Sequence, residues 1–596
     1  MVLPQKRNLT VPSLGSSESL HTARKATYRS IKLWCLSICL ACVWTFATWR
    51  WDSLSAFNYR PVEDSSCPQT NTLIPRQNLF FWTLLDDELR TDEFKNRAVR
   101  WLGGAVQVET ETFDNMDPVG EDSRWENRAF FHQYLQNAFP RVHSTLELTK
   151  VNTYGLLYVW KGYDVALKPY ILAAHQDVVP VNPDTVDEWA YPPYSGHYDG
   201  KFSRFCERVW GRGSSDDKSG LIGVLAAVEF LLEQGFKPAR TVVLSFGFDE
   251  EAGGKYGAAE LAKYLTERYG RHSFAFMVDE GAGFMDQYGS VFATPGIAEK
   301  GSVDVDIEVA TAGGHSSVPP RHTSIGILAA LIAHLENNPF KSHLERDTPM
   351  YEFVECLGAH AANLPVPLRK AIKRAKRSDK ALKKIEESIF QNPVFKSLAG
   401  TTQAVDMIRG GVKSNALPEQ AFALVNHRIA TTSSGKATKI HDRDLLAGLA
   451  NKFNLTYMAF GEQVSDEDVP SKGRLTLSSS TVLEPAPVTP TKGENAAPYQ
   501  LLSGTIKAAY NAHRSLTDDD DGVIVAPGMM TGNTDTKFYW DLTEHIFRYN
   551  HLNTGKTGNP LGSAHTVNES ITADAFLEMI QFFGTLILNS DETKAF

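Results

Sequence analysis

Cysteine is scarce in this chain: six in 596 residues, three of them grouped as Cys35, Cys39 and Cys42. A disulfide-stapled scaffold is therefore excluded. Positive charge is also in deficit, with 60 Lys and Arg against 70 Asp and Glu. Residues 1–32 hold six basic side chains (Lys6, Arg7, Arg24, Lys25, Arg29, Lys32) against the one acid Glu18, so the remainder is more acidic than the total. Phosphate binding needs clustered positive charge, which excludes nucleic acid as the main partner. Hydrophobic residues at 42% and charged residues at 22% exclude a disordered or collagen-like chain. There is no internal repeat. The length, about four times that of a typical domain, predicts at least two domains.

Leu33 to Trp49 is an uncharged run of 17 residues. As a helix it spans roughly 25 Å, slightly short of a bilayer core of about 30 Å. Lys32 and Arg50 are placed to snorkel, and Trp34, Trp44, Trp49 and Trp51 suit the interfacial belts. Arg24, Lys25, Arg29 and Lys32 precede the run, against Arg50 and Arg60 after it, so the N-terminus belongs in the cytosol and the body across the membrane. A 32-residue leader without a clear A-x-A site favours an uncleaved type II anchor over a signal peptide. Apolar packing accounts for the three cysteines of the run, with palmitoylation as the alternative. Cys67, Cys206 and Cys356 allow at most one bridge in the body, in any of three pairings. The sequons at Asn454 and Asn568 suit a lumenal body.

The chain then divides as follows: 1–32 a cytosolic tail, 33–49 the anchor, 50–90 a stalk rich in Pro, Ser and Asn to residue 78, 91–300 and 485–596 two parts of one catalytic domain, and 301–484 an inserted lid. Helices are predicted near 92–106, 122–138 and 221–232. Apolar strands are predicted at 169–174, 241–248 and 274–278. Strands buried on both faces and separated by helices predict an α/β domain with a mainly parallel sheet flanked by helices. From about Gly301 the pattern changes: residues 303–309 alternate apolar and charged, and 421–429 do so again. That alternation predicts an α+β lid with antiparallel strands. Nine basic residues and one acid over Arg369–Lys384 read as a solvated helical face, with an anionic membrane surface as the alternative. Asp518–Asp521 lacks calcium-loop spacing and reads as a loop.

Chemistry-bearing residues collect where strands end. His175 and Asp177 end the first strand, positioned so that the carboxylate can orient the imidazole. Gly211-Arg-Gly-Ser-Ser-Asp216-Asp217-Lys218 precedes a helix, Asp249-Glu250-Glu251 ends the second strand and Asp279-Glu280-Gly281 the third. Open α/β sheets bind ligands at this edge, where consecutive acids need cations or a polar surface to offset their repulsion. Far downstream, His565 adds a second imidazole. Two histidines and several carboxylates without a thiolate suit two hydrolytic Zn²⁺ ions, with one unbound carboxylate left as base.

This ordered set, with Gly313-Gly-His315-Ser-Ser, Asn415-Ala-Leu-Pro, Thr534-Asp535 and His565-Thr-Val-Asn-Glu569, resembles the di-zinc family of carboxypeptidases, aminoacylases and dipeptidases from about residue 90 to the C-terminus. The anchor and long insertion are most similar to its fungal vacuolar Gly-X carboxypeptidases. The resemblance implies that Asp216 bridges two zinc ions, that His175 and Asp279 hold one, and that Glu251 and His565 hold the other. Glu280 is the alternative to Asp279. It further implies that Glu250 is the general base, that Asp177 orients His175, that His315 of the lid steadies the oxyanion, and that Asn415 and Arg428 hold the substrate. In relatives that histidine sometimes comes from a partner subunit, which leaves room for a homodimer. The implied function is a membrane-tethered vacuolar carboxypeptidase acting on short peptides. N-acyl amino acids are the alternative substrate, and secretion after cleavage the alternative location.

Overall fold

The computed structural model describes residues 66–200, 207–466, 471–517, 522–553 and 563–596. The expected cytosolic tail, the anchor at 33–49, Cys206 and Asp518–Asp521 lie outside the described residues. Among the described residues no helix is long and apolar enough to cross a membrane.

Eight strands form the sheet of the body. In chain order they are β1 (Glu147–Val151), β2 (Gly155–Trp160), β3 (Tyr170–His175), β4 (Val242–Gly247), β5 (Met277–Asp279), β6 (Gly296–Glu299), β7 (Gly528–Met530) and β8 (Ile546–Arg548). Across the sheet they run β1-β2-β4-β3-β5-β8-β6-β7. Strands β4, β3, β5 and β8 are parallel. The β1–β2, β2–β4 and β8–β6 pairs are antiparallel. The mainly parallel sheet expected is thus a mixed sheet with a parallel centre. The cause is local at one end: β1 and β2 are joined by residues 152–154 alone, with φ of 44° at Asn152 and 70° at Thr153. So short a turn can only return the chain antiparallel.

Along β3, Tyr170, Leu172 and Ala174 enter one core while Ile171 and Ala173 enter another. Helices Asp92–Val106, Lys218–Glu233, Ala497–His513 and Ala573–Glu592 complete the first core, and Ala258–Tyr269 covers the opposite face. Lys218–Glu233 is buried over nearly its whole length, as a helix apolar on all sides must be. The expected helix at 122–138 is a short 3₁₀ turn, Ser123–Glu126, followed by a helix over Asn127–Ala138.

Residues 79–89, expected within the stalk, form a helix whose Leu85 is fully buried. The Pro, Ser and Asn content that predicts a stalk stops at residue 78, and the apolar LFFWTLL segment that follows joins the first core. Cys67 is disulfide-bonded to Cys356, one of the three pairings left open.

Between β6 and β7 the chain builds a six-stranded sheet in the order Thr402–Gly410, Gln420–Ile429, Gly301–Thr311, Gly473–Ser479, Thr456–Ala459, Glu462–Gln463. Helices Ser324–Asn337 and Gly435–Phe453 cover its apolar face. A further group of helices from this segment, including Pro349–His360, packs with Phe292, Ile524 and Ala526 of the body. The basic tract occupies two of them, Val366–Ala375 and Asp379–Ile389, with Leu368, Ile372 and Ile385 buried and the lysines exposed.

The two crossings between the sheets lie side by side. Ser302 and Leu483 exchange backbone hydrogen bonds, and the Ala486 N–H donates to the Glu299 carbonyl at 3.1 Å. Gly301 is required here, because a Cβ would collide with the backbone of Leu483, Glu484 and Pro485.

Candidate active site

The parallel strands β3 and β4 bring their carboxyl ends to one edge, where their last residues His175 and Gly247 are paired. His175 is 1% exposed, and its Nδ1 lies 3.0 Å from the Asp177 carbonyl and 3.3 Å from the Asp177 carboxylate. Asp177 also accepts the N–H groups of Glu250 and Glu251, both at 3.1 Å. One buried carboxylate therefore orients the imidazole and fixes the turn that presents the two glutamates. The Nε2 of His175 faces Asp216 at 3.2 Å and Glu280 at 3.8 Å. On the other side of Asp216, His565 Nε2 lies 3.1 Å away and also reaches Glu251 at 3.2 Å. Two groups result whose ligand atoms all lie within 4.8 Å of one another: His175 with Glu250 and Glu280, and His175 with Asp216 and Glu251.

The loop carrying Asp216 is held from a distance. Glu569, fully buried, accepts from Arg212 at 2.6 Å and from the N–H groups of Gly213, Ser215 and Asp216 at 3.0, 2.9 and 3.2 Å. Asp249 does comparable work behind Glu250, accepting the N–H groups of Tyr256 at 2.6 Å and Gly257 at 2.8 Å.

Charge in the cluster is far from neutral by its own means. Burial and the nearby Glu280 push the Glu250 carboxyl well above the usual glutamate range. Burial raises Glu251 as well. Desolvation would raise Asp216 too, yet hydrogen bonds and charge from His175 and His565 hold it below the aspartate range. Hydrogen bonds to Asp216 and Glu251 raise His565 to about 10. Burial opposes protonation of His175, but Glu280, Asp177 and Asp216 outweigh it and raise its pKa well above 6.5. The carboxylates thus favour a proton on each imidazole. Bound cations would take the place of those protons. The Oε1 of Glu251 is buried with no hydrogen-bond partner, as a ligand oxygen awaiting a cation would be. Imidazole nitrogens and carboxylate oxygens without thiolates suit zinc. The residues fit a bound metal ion.

Most of the expected site residues converge here: His175, Asp177, Asp216, Glu250, Glu251 and His565. Asp279 does not. Its carboxylate accepts from Thr534 Oγ1 at 2.9 Å, and Glu280 takes the place expected of it beside His175. The reason is that β5 ends at Asp279, so the turn after the strand decides which acid faces the cluster. His315 and Asn415 lie together and exposed on a small ribbon that pairs Gly314–His315 with Ala416–Leu417. Their described contacts are within the ribbon; Ser317 bonds the His315 Nδ1, and the Ser316 N–H donates to the Asn415 carbonyl. Arg428 sits at the far end of the strand that follows the ribbon, opposite Ser302 and Thr402 and near Lys300. Eight residues along a strand amount to about 27 Å, so Asn415 and Arg428 of one chain do not meet. Sequence reasoning missed Glu569 as a positioning group although it had singled out the motif ending there. It also missed the pairing of Thr534 with Asp279.

Residues 171–589 match the profile of peptidase family M20/M25/M40. The chain is 39% identical over 536 residues to Carboxypeptidase S of Saccharomyces cerevisiae, spanning 89% of this chain and 90% of that one. It is 31% identical over 501 residues to the N-fatty-acyl-amino acid synthase/hydrolase PM20D1 of Mus musculus, spanning 83% and 88%. The M20 family metallo-carboxypeptidase Sso-CP2 from Sulfolobus solfataricus has the same fold, with a TM-score of 0.54 at 17% identity over 83% of this chain and 99% of that one. A profile match over most of the chain, with relatives of this identity along nearly all of it, makes this chain a member of peptidase family M20/M25/M40.

Proposed function

We propose that the chain is a zinc-dependent exopeptidase that releases C-terminal residues from short peptides of Gly-X type. The observation that carries this reading is Asp216 clasped between His175 and His565, with Glu250, Glu251 and Glu280 around it. Asp216 would be shared by two zinc ions, one completed by His175 and Glu280, the other by His565 and Glu251. When bound, the ions supply Lewis acidity toward the scissile carbonyl and the attacking water. Glu250, in reach of the cluster, takes the proton of that water and returns it to the leaving nitrogen. Asp177 keeps His175 in register and the Glu250–Glu251 turn in place. Neither His315 nor Asn415 touches the cluster in this structure, so their role in holding the oxyanion and carbonyl requires the ribbon to approach it. Arg428, near the crossings between the sheets, is the group we assign to the substrate's terminal carboxylate, which its planar fork matches.

The location we propose is the vacuolar lumen, with a type II anchor at residues 33–49. The anchor rests on the apolar run and its charge asymmetry. The Cys67–Cys356 disulfide supports an oxidising compartment.

Hydrolysis of N-acyl amino acids on the same site is the second reading. The likeness to the fatty-acyl relative favours it. Purified full-length protein assayed on a blocked Gly-Leu dipeptide and on an N-oleoyl amino acid separates the two. Faster cleavage of the dipeptide is expected; cleavage of the oleoyl compound alone would replace the peptidase reading.

A further inference from the structure

Glu299 is the last residue of β6 and stands where the chain leaves the first sheet for the second. It is 3% exposed, and its carboxylate is a point of convergence. Arg548 donates to it at 2.7 Å, Thr536 Oγ1 at 2.9 Å and Asn533 Nδ2 at 3.3 Å. Asn533 also donates to the Lys300 carbonyl at 2.7 Å, and Ala486 of the return crossing donates to the Glu299 carbonyl. Arg548, itself buried, uses its Nε to hold the Glu280 carbonyl at 2.6 Å. The last residue of β6 is therefore joined to Glu280 through a single guanidinium.

We propose that Glu299 is a positioning residue for Glu280. It neutralises Arg548 and aims it at the Glu280 backbone, which keeps this cation away from the carboxylates of Asp279 and Glu280. Arg548 lies close enough to both acids to act on them electrostatically. With no carboxylate at position 299, the guanidinium would be drawn to those acids and would compete with a metal ion for Glu280. The inference rests on the reading of Glu280 as a metal ligand.

The test uses full-length protein and Zn²⁺ competed against a chromogenic chelator, with steady-state kinetics on the blocked dipeptide. Glu299→Gln is expected to weaken binding of one of two ions by about 10- to 100-fold. At saturating Zn²⁺, kcat is expected to fall with KM little changed. Thr536→Val removes one donor to Glu299 and is expected to move both quantities in the same direction by less. Glu578→Gln, which breaks a buried ion pair outside the site, is the control for general destabilisation and is expected to leave both unchanged. Wild-type affinity and kcat in Glu299→Gln, or the same losses in Glu578→Gln, would overturn the positioning role. Wild-type protein that binds no Zn²⁺ would instead overturn the metal-site reading on which it rests.

Discussion

Glu250 is raised by burial and by Glu280 and lies beside His175 without a hydrogen bond to either imidazole nitrogen, which suits it to proton transfer rather than structural pairing. Glu250→Gln keeps the shape and removes the base. It is expected to lower kcat by about 10²- to 10⁴-fold while bound metal per chain is unchanged, read from kinetics and metal analysis of one preparation. The two acids that end β5 are expected to separate cleanly. Glu280→Gln should lose one metal ion per chain, whereas Asp279→Asn should retain both, because Asp279 is bonded to Thr534 while Glu280 is the acid 3.8 Å from His175. Equal metal loss in both variants would contradict this assignment. His175, Asp177 and Asp216 were legible in the sequence because a polar residue directly after an apolar strand, or before a buried helix, has few places to go. Glu280 was not, since a turn rather than strand alternation sets its direction and Asp279 is claimed by a threonine 255 residues away.

At the level of elements, the glycine-bordered loop 211–217 has no regular structure to hold Asp216, so Glu569 does that work from the segment before Ala573–Glu592. Glu569→Gln retains size but loses half of the acceptor capacity facing three N–H groups and Arg212. Metal affinity is expected to fall by about 10- to 100-fold, measurable by chelator competition. That bond spans more than 350 residues, a relation that no local pattern carries.

A second element-scale prediction concerns Glu578 on the helix Ala573–Glu592, paired with Arg514 and bonded to His551 at 3.1 Å. Burial opposes its ionisation, yet His551 and Arg514 hold its carboxyl below the usual glutamate range. A carboxyl depressed on folding adds stability above its unfolded pKa of about 4.3, and this is lost as pH falls through the folded value. Glu578→Gln is expected to cost about 3–5 kcal/mol at pH 7. Denaturant titrations of both proteins should show the gap narrowing below about pH 4.

At the scale of the whole molecule, the hydrophobic patterns of β3, β4, β5 and the helix at 218–233 were enough to foresee a sheet packed on both faces. The change of period near Gly301 likewise foretold a second sheet with one wet face, which is seen in Gly301–Thr311. What the patterns did not carry was the antiparallel flank, set by the three-residue turn at 152–154, or the attachment of the helices at 349–399 to the body. That attachment is fastened by Cys67–Cys356, which joins residues 289 apart. Removing it through Cys67→Ser with Cys356→Ser is expected to destabilise the protein by about 2–5 kcal/mol. Equilibrium denaturation of oxidised and variant protein checks this, and reduced wild type should match the variant.

One cluster of histidines and carboxylates is proposed to hold two zinc ions and to cleave C-terminal peptide bonds. The most direct measurement is Zn²⁺ titration of chelator-stripped full-length protein, with bound metal and release of leucine from a blocked Gly-Leu dipeptide followed together. Activity that appears with bound zinc and saturates at two ions per chain is the expected result. Leucine release at full rate in the stripped protein, or saturation below one ion per chain, would contradict the account.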